Sequence, residues 1–190
     1  MPNQQATAPK LYLETFLLSL AMTLLEVSYT RVFSYKLVYY FTYLIIGIAL
    51  LGLGAGGIFV AVFPRLRRLA STHLIPLSCL AAAVSVLVGY LFVAATQLNA
   101  FSLIGPDTAL RYRAGEAVKL TAICFVVLMP FFTAGLALAA IFATQTARIS
   151  RLYCVDLIGA GIGCALSVPL AASISPPGAV MLGGLCLAVA

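Results

Sequence analysis

Long stretches without a charge dominate this chain. Leu37 to Pro64, Leu69 to Pro106, Leu120 to Ala147 and Leu157 to Ala190 contain no Lys, Arg, Asp or Glu, and His73 is the only titrating interruption. A bilayer hydrocarbon core of about 30 Å is crossed by about 20 residues of apolar helix. Each run reaches that length. The pattern predicts transmembrane helices over about 11–30, 38–63, 74–95, 118–143 and 153–172. Gly105-Pro106-Asp107 marks a turn in the loop from Thr96 to Glu116, and Pro130 predicts a kink inside the fourth span. Pro176-Pro177 ends the linker after the fifth. The remaining "GAVMLGGLCLAVA", 178–190, is too short to cross a bilayer. The expected fold is all-α: a polytopic transmembrane helix bundle with five full spans plus an incomplete sixth, in one membrane domain over 1–190. A chain that stops inside an apolar segment is expected to be the amino-terminal part of something longer, without a soluble domain of its own here.

Composition supports that class. Of 190 residues, 63% are hydrophobic and 8% charged, where a soluble domain carries about 25% charged residues to keep its surface wet. The net charge of +6 does not signal nucleic acid, because the basic residues are scattered through short loops and build no basic face with interleaved aromatics. Their natural neighbours are lipid headgroups, so the expected partner is the bilayer. The tail "MPNQQATAPK" leads into an apolar segment holding Glu14 and Glu26, which predicts an uncleaved first helix rather than a signal peptide. Distributing Lys and Arg between the two sides gives six against five. The compact Arg65/Arg67/Arg68 cluster tips the expected orientation toward an inside amino terminus. The expected location is a bacterial inner membrane or its equivalent.

Catalytic chemistry finds no foothold. Cys79, Cys124, Cys154, Cys164 and Cys186 sit singly in apolar segments, without a C-x-x-C pair or a Cys/His cluster, so no metal ligand set is expected. His73 stands at a loop edge, and one histidine cannot support a Ser/His/Asp arrangement. Neither catalytic residues nor a cofactor are expected.

Gly52, Gly54 and Gly57 spell G-x-G-x-x-G. A dinucleotide-binding turn must follow a strand, open a helix and be trailed by an acidic residue about 20 positions later. These glycines instead lie deep in an uncharged span, and the next acidic residue is Asp107. Gly52 and Gly56 also form G-x-x-x-G, with Ala49, Gly54, Ala55 and Gly57 as small neighbours. Such a strip lets helix backbones approach closely in lipid, where dispersion drives association. Gly159 and Gly163, flanked by Ala160 and Gly161, repeat the device.

Intramembrane carboxylates cost roughly 2.5–3.5 kcal/mol near a helix centre. Ser19, Thr23, Glu26 and Thr30, spaced four, three and four, form one stripe expected to face the bundle interior. Arg31 is a poor same-face partner for Glu26, and another helix is an equally good source of one. Asp156 shares a face with Gly159, Ala160 and Gly163, where another helix can supply a donor; Arg31 and Tyr29 are candidates. Glu26, Arg31 and Asp156 then admit two readings, a polar cavity for a cation or proton and a network that fixes helix register. The register network is the simpler. Glu14 and Lys10, four apart, are expected to form a surface ion pair. Tyr35, Tyr39, Tyr40 and Tyr43 are expected in an interfacial belt, in preference to an aromatic box for an ammonium group.

Two stretches, "LLEVSYTRVFSYKLVYYFTYLIIGIALLGLGAGG" and "MPFFTAGLALAAIFATQTARISRLYCVDLIGAGIGCALSVPL", resemble the membrane region of the spermidine synthase-like integral membrane proteins. The resemblance rests on Glu26 with Tyr29-Thr30-Arg31, the Gly52–Gly57 strip, Pro130-Phe131-Phe132, and Leu152-Tyr153 leading to Asp156-Leu157-Ile158-Gly159-Ala160. It implies an amino-terminal multi-helix region that precedes a soluble aminopropyltransferase-like domain, with that domain or other membrane helices as partners. A looser likeness to major-facilitator helices lacks the aspartate usual in their basic loop. No acidic residue follows Asp156, so these residues cannot themselves perform aminopropyl transfer. The reading is a membrane anchoring or docking module, with a transporter fragment for polyamines or other small cations, or an accessory membrane subunit, as alternatives.

Overall fold

Among the described residues, five apolar segments become five α-helices. The computed structural model describes residues 8–36, 40–63, 74–96 and 110–190. Helix α1 is Ala8–Lys36, α2 is Tyr40–Val62, α3 is Ile75–Ala95, α4 is Leu110–Thr144 and α5 is Ile149–Val189, with a 3-10 turn at Thr146–Arg148 between the last two. All five contain stretches long and apolar enough to cross a membrane, running Lys10–Ser34, Tyr43–Val62, Ile75–Ala95, Ala114–Thr144 and Thr146–Ser173. The chain is therefore an all-α, multi-pass membrane bundle. Local chemistry fits the boundaries: Pro76 opens α3 within its first turn, where a missing N–H costs nothing, and Thr96 leaves helical geometry at its end.

Two helix pairs carry the architecture. Helix α1 lies along α5 and α2 along α4, while α3 packs on α4 and α5. Glycine brings both pairs together. A Cβ at Gly52 would lie 2.9 Å from Phe131 Cβ, and one at Gly56 would lie 2.7 Å from the Phe132 carbonyl oxygen of α4. Gly135 returns the contact, since its own Cβ would meet the Leu53 carbonyl oxygen at 2.9 Å. On the other pair, Cβ atoms at Gly159 and Gly163 would meet the carbonyl oxygens of Phe16 and Leu20 at 2.6 and 2.5 Å. Real Cβ atoms do not come this close to backbone, so these positions admit only glycine at the present separation. In both pairs the contacts advance together along the two helices, which therefore run parallel.

The glycine strips are narrower than the sequence suggests. Gly54, Gly57 and Gly161 would carry a Cβ into open space. They lie on the outer faces of α2 and α5. Of the three glycines in G-x-G-x-x-G, Gly52 alone joins the packing, and Gly56 is its working partner.

Helix α5 is a hairpin of two limbs. Ser175 has φ 66° and ψ 157° within it. The consequence follows from its glycines. Gly163 abuts Leu20, and a Cβ at Gly183 would lie 2.8 Å from Leu25 Cγ and 3.6 Å from the Ala21 carbonyl oxygen. Twenty residues of continuous helix would separate the two glycines by about 30 Å, yet both meet α1 within about one turn. The chain therefore reverses at Ser175. A first limb climbs beside α1, and a second, apolar limb over Ser175–Val189 descends beside it. Gly184, whose Cβ would lie 3.1 Å from Val86 Cγ1, seats the second limb against α3. Val180 and Leu187 bury their side chains in the core.

The core is lined on α1 by Leu18, Met22, Leu25, Tyr29 and Phe33, at spacings of four, three, four and four. Outward faces are as apolar as the core: Leu51 and Ile58 of α2, and Leu77, Leu80 and Leu91 of α3, are all exposed. Five lipid-contacting helices account for these surfaces.

Candidate polar site between the first and fifth helices

Ser19 and Asp156 are brought together. The Ser19 hydroxyl donates to Asp156 Oδ1. The glycines explain why so short a side chain reaches across: Gly159, one turn beyond Asp156, lets the two backbones nearly touch. Ser19 is 4% exposed, so the bond lies inside the α1/α5 seam. The donor expected from Arg31 or Tyr29 is supplied instead by Ser19, because the seam at Asp156 is level with the first half of α1 and not with its last turns.

The rest of the polar stripe departs from expectation. Thr23, Glu26 and Thr30 are half-exposed. Each stands one position after a member of the core line Met22, Leu25 and Tyr29, and is thus rotated by about 100° away from the bundle centre. The threonines satisfy themselves locally. Thr23 donates to the Ser19 carbonyl at 3.1 Å and Thr30 to the Val27 carbonyl at 2.7 Å, a common resolution for a hydroxyl on a helix. A carboxylate has no such option. Glu26 and Arg31 make no hydrogen bond or ion pair among the described residues, and they do not pair with each other. Glu14 and Lys10 also fall short of a salt bridge, in contrast to Lys119 and Glu116 at 2.8 Å.

Tyr29 is the residue sequence reasoning placed wrongly. It is 0% exposed and points into the core, its ring centroid 6.4 Å from those of both Phe33 and Phe131. Its hydroxyl is buried without a hydrogen-bond partner among the described residues, as is that of Ser28. The signal was present in the apolar line of α1, in which Tyr29 occupies a regular place between Leu25 and Phe33.

Tyr43 and Tyr153 are exposed. Tyr39, the Arg65/Arg67/Arg68 cluster, His73 and the 105–107 turn lie outside the described residues, and the side chains of Tyr35 and Tyr40 are not described either. Among the described residues, no three of His, Cys, Asp and Glu gather as a metal site would require. No protein-family model matches the chain, and neither a curated protein nor a solved structure matches it.

Proposed function

We propose that this chain is an integral-membrane anchoring and docking module, the counterpart of the amino-terminal membrane region that the spermidine synthase-like membrane proteins carry, with no catalytic residues of its own. A bacterial inner membrane or its equivalent is the setting this reading implies. The observation that supports it is the way the interior is used. The α1/α5 and α2/α4 seams are closed by backbone contact at glycine, and Asp156 is engaged by Ser19 inside one of them. Groups committed to each other in this way hold helices in register. Other membrane helices or a synthase-like domain are the partners such a scaffold would hold. An accessory subunit of a larger membrane complex would use the same features.

One observation favours a second reading. Glu26 is a carboxylate within a span that no described residue neutralises, and intramembrane carboxylates of this kind mark ion and substrate pathways. In that reading the chain handles polyamines or other small cations through Glu26.

Uptake separates the two. Reconstituted vesicles are given labelled spermidine, with wild type compared against Glu26→Gln and Asp156→Asn. The anchoring reading expects uptake no faster than in protein-free vesicles for all three proteins, and a lowered unfolding midpoint for Asp156→Asn because its seam bond is weakened. Saturable wild-type uptake that disappears in Glu26→Gln would sink the anchoring reading in favour of transport.

A further inference from the structure

Tyr29, Gly89 and Val126 meet where α1, α3 and α4 converge. Tyr29 Oη is buried and has no hydrogen-bond partner among the described residues. A Cβ built on Gly89 would lie 3.6 Å from that oxygen, 3.6 Å from the Val126 carbonyl oxygen and 3.3 Å from Val126 Cγ1. The Val126 carbonyl is not an ordinary helix carbonyl. Its usual donor is the N–H four residues on, and residue 130 is Pro130, which has none. A phenol that lacks an acceptor among the described residues and a carbonyl deprived of its helical donor thus both lie 3.6 Å from the place a side chain at residue 89 would take.

Each of these groups is costly in hydrocarbon if left alone, by several kcal/mol for an unsatisfied group in a membrane. They are complementary, but they are not bonded to each other. We propose that this junction is a binding site for one small neutral hydrogen-bonding molecule, a water, which accepts from the Tyr29 hydroxyl and donates to the Val126 carbonyl. The chemistry selects the ligand. It must offer both a lone pair and a proton between two groups that each lie 3.6 Å from the position of one absent methyl group, which excludes an organic cation. Buried waters occupy such places and make two to four hydrogen bonds there. Freed carbonyls at prolines in membrane helices are among the groups that ordered water satisfies. The bridge ties α4, one turn before Pro130, to α1 across α3. It is independent of the Ser19–Asp156 seam and of whether the chain anchors or transports.

The test uses the full chain in lipid bilayers with ring-¹³C tyrosine, reading magnetisation transferred from ordered water to tyrosine Cζ by solid-state NMR. The Tyr29 signal is assigned by its loss in Tyr29→Phe. Wild type is expected to show transfer to Tyr29. Gly89→Ala, whose new methyl would lie 3.3 Å from Val126 Cγ1 and in ordinary contact at 3.6 Å with the Val126 carbonyl oxygen, is expected to abolish that transfer while leaving the exposed Tyr43 and Tyr153 unchanged. Pro130→Ala, which returns an N–H to the Val126 carbonyl, is expected to weaken it. Absence of transfer to Tyr29 in wild type overturns the proposal, and so does transfer that survives Gly89→Ala undiminished. Should Gly89→Ala not fold, Pro130→Ala decides alone: unchanged transfer there overturns the bridge to Val126.

Discussion

A glycine in this bundle matters only through the direction of the side chain it lacks. Gly161 and Gly163 are two residues apart on α5 and would look alike in any composition count. A Cβ at Gly163 would lie 2.5 Å from the Leu20 carbonyl oxygen, whereas one at Gly161 would meet nothing within 4 Å. Substituting alanine at both positions therefore has opposite consequences. Gly161→Ala gains helix propensity, about 0.5–1 kcal/mol, and raises the unfolding midpoint in detergent. Gly163→Ala forces α1 and α5 apart, loosens the Ser19–Asp156 bond with them, and lowers the midpoint by more than Gly161→Ala raises it, in the range of about 1–3 kcal/mol expected for overpacking. Equal midpoints for the two variants would contradict the packing described for this seam. Sequence alone identified Gly159 and Gly163 as a pair because G-x-x-x-G places both on one face. The same spacing picked out Gly52 and Gly56, and it left Gly54 and Gly57 as small neighbours whose Cβ atoms would in fact meet nothing within 4 Å. Charge was easier to read than hydroxyls. Asp156 was recognised as belonging to a packing face, but its donor was sought among strong donors, when a serine brought close by glycine sufficed.

At the scale of one element, α5 turns on Ser175. Pro176 constrains the residue before it to extended ψ, and the reversal requires φ on the positive side. Together they put Ser175 at φ 66°, ψ 157°, a combination that side chains with a Cβ rarely adopt and that costs of order 1–3 kcal/mol. The second limb holds it there: Gly183 and Gly184 fit against Leu25 and Val86, and Val180 and Leu187 are buried. Ser175→Gly removes the strain at the expense of about 0.5–1 kcal/mol of added chain freedom, so it is expected to be neutral or stabilising by up to about 2 kcal/mol. Ser175→Val is expected to destabilise, because a β-branched residue tolerates positive φ worst. Denaturation of both variants in the same detergent checks the order, and a valine variant as stable as the glycine one would refute the geometry. Pro176-Pro177 announced a break in the sequence. The sign of φ before it did not, because the reversal is dictated by where the second limb finds its contacts.

For the molecule as a whole, the spans were legible and their partners were not. Length and lack of charge suffice to find a crossing helix, whereas lipid and protein interior demand the same apolar side chains, so hydrophobic periodicity carries no instruction about neighbours. The pairing of α1 with α5 and of α2 with α4 follows instead from which glycines meet which carbonyls. Those contacts advance in parallel, as alternate crossings must, and they place Ser34 of α1 and Ser173 of α5 at one side of the bilayer and Ser150 at the other. The second limb then re-enters toward the side of Ser150, so that Ala188 lies within the hydrocarbon depth: its distance along the helix from Ser175 is about 20 Å in a core near 30 Å. Were α5 unbroken, Ala188 would project about 20 Å past Ser173 into water. Single cysteines at these four positions, in a chain cleared of its native cysteines, distinguish the two with a membrane-impermeant maleimide applied to sealed vesicles. Ser34→Cys and Ser173→Cys should react from one side and Ser150→Cys only after the other is opened. Ala188→Cys should stay unreactive in both conditions and react once detergent replaces the bilayer. Labelling of Ala188→Cys from the side that labels Ser173→Cys would mean that the second limb does not return along α1, and the positions assigned to Gly183, Gly184 and Leu187 in the core would fall with it.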